Sequence, residues 1–317
     1  MKNLILSSRK SFLARIQTRI ASEKIKKYFS GIIQFDYSNS LGDTDHSKKA
    51  WENHGFGIFT NTLSKKLINK EVDVVVHSFK DLPVKRSNKL SYMCLEREDP
   101  RDVVLIKKTS LKKKKLVIAT SSPRREYYLK LLKDFLPFQN LKSEPIRGNI
   151  QTRLEKILIS NNQDGVFIAK AAIDRIFKYG GKVSLKEYKK FKFIFQKFEK
   201  IILPLSEFPS AAAQGCIALE FRKDDLKIKR ILNKINHISS LEDCLMERKY
   251  LAKWGGGCAL DIGVTIENFL DKKVLFTRGR DAHTKKYFKE KKYLNKINTK
   301  KVQNVFPSKL SKYQMFK

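Results

Sequence analysis

Leu116-Val117-Ile118-Ala119-Thr120-Ser121-Ser122-Pro123-Arg124-Arg125 is the stretch whose reading decides the fold. Its first residues are a short apolar run suited to a strand. A polar turn follows, and from Tyr127 to Leu136 the apolar residues recur at helical spacing. The same strand, turn and helix wording appears elsewhere. Leu4-Ile5-Leu6 runs into Ser11, which is placed to cap a helix through Ile20. Val72-Asp73-Val74-Val75-Val76-His77 is nearly continuous and β-branched, as a strand buried on both faces should be, and Gly165-Val166-Phe167-Ile168-Ala169 is a second such run. Ile32-Ile33-Gln34-Phe35 is a further strand candidate, and Phe59 to Ile68 and Asn149 to Ile159 have helical spacing. Strands alternating with helices predict βαβ units and a mostly parallel sheet.

Outside that region, Gln214 to Glu220 reads as a strand and Asp225 to Lys253 as helix with a break near His237 to Ser240. Alternation at Ile262, Val264 and Ile266, then Val274, Leu275 and Phe276, predicts a small α+β domain at the end. Ser184 to Lys200, rich in lysine and phenylalanine, reads as irregular. With 317 residues the chain is too long for one ordinary core.

Its net charge is +35, from 67 basic and 32 acidic residues, which favours anionic partners. The lysines are spread along the whole chain and read mostly as solvated surface; the rarer arginines are more informative. Nucleic-acid binding would need basic side chains gathered on one face with stacking aromatics between them. The arginines instead follow separate strands, so no specific nucleic-acid partner is expected. No run of apolar residues is long enough for a membrane span, and the first residues lack a secretory core. Cys94, Cys216, Cys244 and Cys258 form no CxxC pair and no metal-like spacing with the five histidines, so reduced thiols, a cytoplasmic setting and no metal are expected.

In open α/β sheets, ligands bind at the carboxyl ends of strands, near helix N-termini. Ser78, Lys80 and Asp81 follow the Val72–His77 strand, and Pro83 then stops it. A carboxylate there can exchange protons or stabilise a cation; a solvated Lys-Asp turn is the plainer alternative. Arg124-Arg125, Arg147 and Arg153 stand at strand-to-helix junctions, Arg9 follows the first strand and Arg175 lies beyond the fifth; guanidinium forks match carboxylates. Cys258, behind Gly255-Gly256-Gly257, is a thiol on a run that lets a ligand come close, although a lone cysteine is more often a small buried hydrophobe.

Six segments, in this order, resemble the porphobilinogen deaminase (hydroxymethylbilane synthase) family. They are Val74 to Pro83, Glu96 to Asp102, Ala119 to Arg125, Ile146 to Leu154, Ala213-Gln214-Gly215 and Gly256-Gly257-Cys258. The resemblance spans roughly residues 4 to 265 and implies an α/β fold of three domains. Two are lobes like those of type II periplasmic binding proteins, with an active cleft between, and the third is a small α+β domain. The corresponding limits are 1–98 with 215–232, then 103–208, then 237–317.

The resemblance also implies a transferase that joins porphobilinogen head to tail, releasing ammonia, on a dipyrromethane held covalently by Cys258. Asp81 would protonate the leaving amine and stabilise the azafulvenium-like cation. Lys80, Ser78, Ser122, Arg124, Arg125 and Arg147 would hold the cofactor. Arg9, Ser11, Gln17, Arg147, Arg153, Arg175 and Gln214 would hold substrate, whose acetate and propionate arms make the growing chain polyanionic. A monomer is implied. Phe56 and Asn61 stand where the family carries lysines in a lid loop, Asp261 where it carries proline, and Pro123 where it carries leucine. The alternative is a non-catalytic bilobal binding protein for an acidic small molecule, with no adduct on Cys258.

Overall fold

The computed structural model describes residues 2–38, 60–83, 87–138, 140–254, 260–269, 272–281 and 284–294. Two compact units emerge: Met1–Glu98 with Ala172–Lys192 and Gly215–Glu242, and Asp99–Ala171 with Phe193–Gln214 and Asp243–Lys317.

The first unit is built on a five-stranded sheet of order β2-β1-β3-β10-β4. β1 (Asn3–Arg9) pairs in parallel with β2 (Ile32–Ser38) and with β3 (Val74–Ser78), whereas β10 (Ile217–Arg222) runs antiparallel to both β3 and β4 (Leu90–Cys94). Helix α1 (Phe12–Ile25) connects β1 to β2, and its cap is the one the sequence predicts: Ser11 accepts from the Ala14 amide at 3.4 Å. Phe12, Ile16, Ile20 and Ile25 form its buried stripe. Helix α2 (Asn61–Ile68) puts Leu63 and Leu67 against Val72, Val75 and Leu90.

The second unit repeats the plan with different strands: β7-β6-β8-β5-β9. β6 (Lys115–Ala119), β7 (Asn140–Glu144) and β8 (Gly165–Ala169) are parallel, while β5 (Asp102–Lys107) is antiparallel to β8 and to β9 (Phe198–Ile202). Helix α3 (Pro123–Leu132) follows β6 with proline in its first turn, where the missing amide hydrogen has no partner to lose. Helix α4 (Ile150–Ile159) follows β7 and is capped by Asn149, which accepts from the Thr152 amide at 3.0 Å. Helix α5 (Lys170–Val183) follows β8 in the chain and, from Ala172 onward, belongs to the first unit. Tyr128, Phe167, Phe208 and Leu203 are among the side chains that close the core over this sheet.

The fold is therefore α/β, with two sheets of the same strand plan, as the resemblance implies. Each of the two sheets is mostly parallel, as expected, with four strands running one way and a single strand, β10 or β5, running against them. Local periodicity has no way of announcing that partner.

The Ser184–Lys200 expectation is corrected. The segment is not irregular: helix α6 (Leu185–Phe195) occupies most of it and β9 begins at Phe198. Phe191 and Ile194, three apart, are buried while the lysines face solvent. The long helical stretch after Asp225 divides into α7 (Leu226–Asn233) and α8 (Ile238–Ala252), the latter with His237 Nδ1 accepting from the Ser240 amide at 3.3 Å.

The last sheet, within the second unit, is an antiparallel meander of β11 (Gly263–Phe269), β12 (Lys272–Arg280) and β13 (Tyr287–Leu294). Val264, Ile266 and Leu275 pack with Leu251 of α8. Gly263 sits so close to its neighbours that a Cβ there would fall 2.1 Å from both the Pro209 carbonyl oxygen and the Tyr128 hydroxyl. Only a residue without a side chain fits.

Candidate functional site

Each unit gathers polar residues at the carboxyl ends of its own parallel strands. In the first unit, the register Ser7↔Val75 sets the ends of β1 and β3 side by side. Arg9 closes β1 and Ser11 opens α1; Ser78 closes β3, and a 3₁₀ turn, Phe79–Asp81, follows. Gln17, buried on α1, donates to Ser78 Oγ at 2.9 Å and so ties the helix to the end of the strand. The turn is held by its neighbours. The Phe79 amide donates to the Cys216 carbonyl at 3.0 Å, the Leu82 amide closes the turn onto Phe79 at 3.2 Å, and the buried Phe79 ring meets Tyr92 edge-on at 4.8 Å. Asp81 is half-buried on this fixed turn, as is Lys80.

Beneath it lies a sealed polar set. His77 Nε2 approaches Glu220 Oε2 at 3.1 Å, and Ser64 Oγ donates to the same oxygen at 2.8 Å. Near the end of β2, Asp36 accepts from Ser7 Oγ at 2.6 Å and Lys66 Nζ at 2.8 Å. Burial pushes the Asp36 carboxyl up, but these partners and Ser38 together hold it below the ordinary range.

Arg175 is only 4% exposed. Its Nη2 donates to the Gly215 carbonyl at 2.6 Å and its Nε lies 2.7 Å from Glu98 Oε2. The guanidinium expected at substrate is thus turned onto a carboxylate and a backbone carbonyl of its own unit. Burial pushes the Glu98 carboxyl up, against the pull of Arg175. Arg15, which the sequence reading passed over, pairs with Glu187 and keeps a buried Nε with no hydrogen-bond acceptor among the described residues.

In the second unit the junctions after β6 and β7 are stitched together by Ser121. Its Oγ donates to the Ile146 carbonyl at 2.8 Å and accepts from the Ile146 amide at 3.0 Å. Ser122 and the arginine pair on one side therefore stand near Arg147 on the other. Arg153, in the first turn of α4, donates Nε back to the Gly148 carbonyl at 2.7 Å, and Gly148 takes the positive φ of 117° that this turn requires.

Arg124 and Arg125 are 4% and 8% exposed, and both turn to Asp102, which is fully buried. Arg124 Nη1 donates to Asp102 Oδ2 at 2.6 Å and to the Pro209 carbonyl at 3.2 Å. Arg125 Nη2 donates to Oδ1 at 2.7 Å and Nη1 to the Phe167 carbonyl at 3.2 Å. Burial would raise the Asp102 carboxyl, but the two guanidiniums hold it well below the usual carboxylate range. Two positive charges and one negative leave one net charge. Arg125 Nε is buried and has no hydrogen-bond acceptor among the described residues.

Gln214 needs reassignment. It is 1% exposed, and both hydrogens of its amide nitrogen are engaged, with the Pro100 carbonyl at 2.7 Å and Asp102 Oδ1 at 2.9 Å. A ligand would find neither donor free, so it reads as a strut under Asp102. Asp102 itself was overlooked in the sequence as a site residue, since it sits in a strand and meets partners 22 and 23 positions away. Cys258 and Phe56 lie outside the described residues.

The family model for "porphobilinogen deaminase, dipyromethane cofactor binding domain" matches residues 4–230. Among curated relatives, porphobilinogen deaminase of Caldicellulosiruptor saccharolyticus is 35% identical over 281 residues, 87% of this chain and 88% of its own. Probable porphobilinogen deaminase of Methanocaldococcus jannaschii is 33% identical over 261 residues, covering 81% of this chain and 80% of its own. Porphobilinogen deaminase of Nostoc sp. is 32% identical over 275 residues, covering 84% and 78%.

Proposed function

The chain belongs to the porphobilinogen deaminase family, and from that premise we propose how its residues polymerise porphobilinogen. As a transferase of that family it joins porphobilinogen units head to tail with release of ammonia, giving hydroxymethylbilane for tetrapyrrole and haem synthesis. The dipyrromethane cofactor, when bound, supplies the pyrrole carbon to which the first unit adds. Cys258 is the attachment point, and the three preceding glycines leave room for the arm.

Asp81 is the acid and base. Its carboxyl gives a proton to the leaving amine of porphobilinogen and, once ionised, faces the cation left on the substrate pyrrole. The observation that carries this role is the anchoring of its turn by Phe79, Cys216 and the Gln17–Ser78 bond, which holds one carboxylate at the end of a parallel strand. Arg9 and Ser11, at the same edge, take the acidic arms of the substrate, and Lys80 takes those of the cofactor. Gln17 acts through Ser78.

In the second unit the residues fit a carboxylate-bearing cofactor. Arg125 keeps a buried, unmatched Nε, and its pair with Arg124 retains one net charge after Asp102. Arg124, Arg125, Ser122 and Arg147 hold the cofactor, and Arg153 extends the row. Arg175, expected at substrate, would have to leave Glu98 to reach it. We infer three domains at 1–98 with 215–232, 103–208 and 237–317, the final meander belonging to the third. We also infer a cytoplasmic monomer; no helix among the described residues is long and apolar enough to cross a membrane.

Intact-mass measurement tests the scheme. The purified protein should carry an excess equal to two linked pyrrole units, absent from Cys258→Ser. Ammonia release should vanish in Asp81→Ala while the cofactor mass and the fold persist. An unmodified, active protein would overturn the assignment of Cys258.

A further inference from the structure

We propose that Asp102 is a positioning residue that fixes both the aim and the net charge of the Arg124–Arg125 pair, with Gln214 locking it in place. The inference rests on the reading that this pair holds the cofactor's carboxylates. Asp102 opens β5 opposite Ala169, the last residue of β8. Being antiparallel, β5 starts where the parallel strands end, so its first side chain reaches the edge where α3 begins. No other strand of this sheet could deliver a carboxylate there at its first residue.

Once there, Asp102 accepts three side-chain donors: Arg124 Nη1 on Oδ2, with Arg125 Nη2 and Gln214 Nε2 on Oδ1. The Pro209 and Phe167 carbonyls take a second hydrogen bond from each guanidinium. Arg124 is therefore gripped at Nη1 and Arg125 along its Nη1–Nη2 edge, which leaves Arg125 Nε as a buried donor with no acceptor among the described residues. Without the carboxylate, two buried cations would face one another with no counter-charge. Arg124 is further constrained by Tyr128, whose ring lies 5.3 Å from the guanidinium carbon and whose hydroxyl donates to the Pro209 carbonyl at 2.8 Å.

Asp164 offers a matched control. It is a buried carboxylate of the same unit, preceding β8 at the opposite end of that strand. It accepts from Ser110 Oγ and Lys113 Nζ, both at 2.7 Å, and from the Val117 amide at 2.9 Å. Purified Asp102→Asn, Asp164→Asn, Arg124→Met and Arg125→Met would be compared for the fraction of molecules carrying the two-pyrrole mass and for thermal stability. Asp102→Asn should lower that fraction, about tenfold relative to wild type, while Asp164→Asn loses comparable stability and keeps its cofactor mass. Gln214→Leu should give a smaller loss in the same direction, and it serves as the test if Asp102→Asn does not fold.

A full cofactor complement in Asp102→Asn, or in Gln214→Leu if that variant stands alone, overturns the proposal. So does an equal loss in Asp164→Asn. If both arginine variants load normally, it is the assignment of the pair to the cofactor that fails. If they lose cofactor while Asp102→Asn does not, only the role given to Asp102 fails.

Discussion

Glu247→Gln should destabilise the second unit far more than a one-atom change suggests. Glu247 is a fully buried residue of α8, the helix that leads towards the glycine run and Cys258. One carboxylate oxygen accepts from the Ala213 amide at 2.7 Å and the other from the Ile266 amide at 2.6 Å. Ala213 has a positive φ of 63°, so this turn is held in a conformation that non-glycine residues seldom adopt. Gln214, the strut beneath Asp102, is the next residue. Glutamine keeps one acceptor but points an NH₂ at the other amide, leaving a buried donor facing a donor. A hydrogen bond to a charged acceptor contributes about 1.5–3 kcal/mol, and a buried unmet donor costs about 1–3 kcal/mol. Allowing for partial relaxation, the loss is about 2–4 kcal/mol, or a fall in Tm of about 5–15 °C for a unit of this size. Thermal denaturation gives the shift, and amide exchange at Ala213 and Ile266 locates it: one of the two should exchange at least about tenfold faster. A Tm within about 2 °C of wild type, with both amides as protected as before, would refute this use of Glu247.

Asp81→Asn should reduce kcat by about 10²–10⁴ with little change in Tm, read by ammonia release and calorimetry; an active variant would remove Asp81 from the proton transfer. Phe79→Ala empties the fully buried space beneath the same turn, at about 3–5 kcal/mol, and should lower kcat because the carboxylate loses its fixed support; unchanged kcat in a destabilised protein would separate the turn from the chemistry. Gly263→Ala must push its Cβ away from Pro209 and Tyr128 and should lose about 1–3 kcal/mol, whereas wild-type stability would show that β11 does not run where described. Asp36, Asp99, Asp102 and Asp164 all have folded-state carboxyls held below their ordinary 3.8. Their stabilisation is fully present above that value and is lost as pH falls from it through the lower folded-state values. Acid titration of Tm should therefore show a steep limb below about pH 4 that is shallower in Asp164→Asn; an unchanged limb would contradict the pairing with Lys113.

Much of the fold was legible because buried strands declare themselves by composition. Val74-Val75-Val76 and Val166-Phe167-Ile168 are continuous apolar runs, and Ser11 marks a helix start through the cap that forms there. What stayed hidden was pairing over long distances. β5 and β10 are unremarkable apolar segments locally, and only the assembled sheet shows that they run against their neighbours. In Ser184–Lys200 the lysines masked the spacing of Phe191 and Ile194, so composition outweighed a periodicity that was present. The strand-end rule brought Ser78, Lys80 and Asp81 to one edge and Ser122, Arg124, Arg125 and Arg147 to another. It could not say which arginines were already spoken for.

That distinction separates the global charge from the local one. A net charge of +35 is carried largely by lysines open to solvent, whose field is screened within about 8 Å at physiological salt. Three of the arginines proposed for the site are buried against carboxylates: Arg175 against Glu98, and Arg124 and Arg125 together against Asp102. A buried cation without a counter-charge is costly, so the protein supplies one, and it supplies fewer carboxylates than guanidiniums at the pair we propose for the acidic cofactor. At Arg124–Arg125 the ratio is two to one. At Arg175 it is one to one. The first arrangement, with one positive charge in excess, suits retention of an anionic group, whereas in the second we propose that an incoming carboxylate would have to replace Glu98 before Arg175 could hold it. Local charge balance, which depends on side chains far apart in sequence, therefore ranks these arginines in a way that their positions after strands do not.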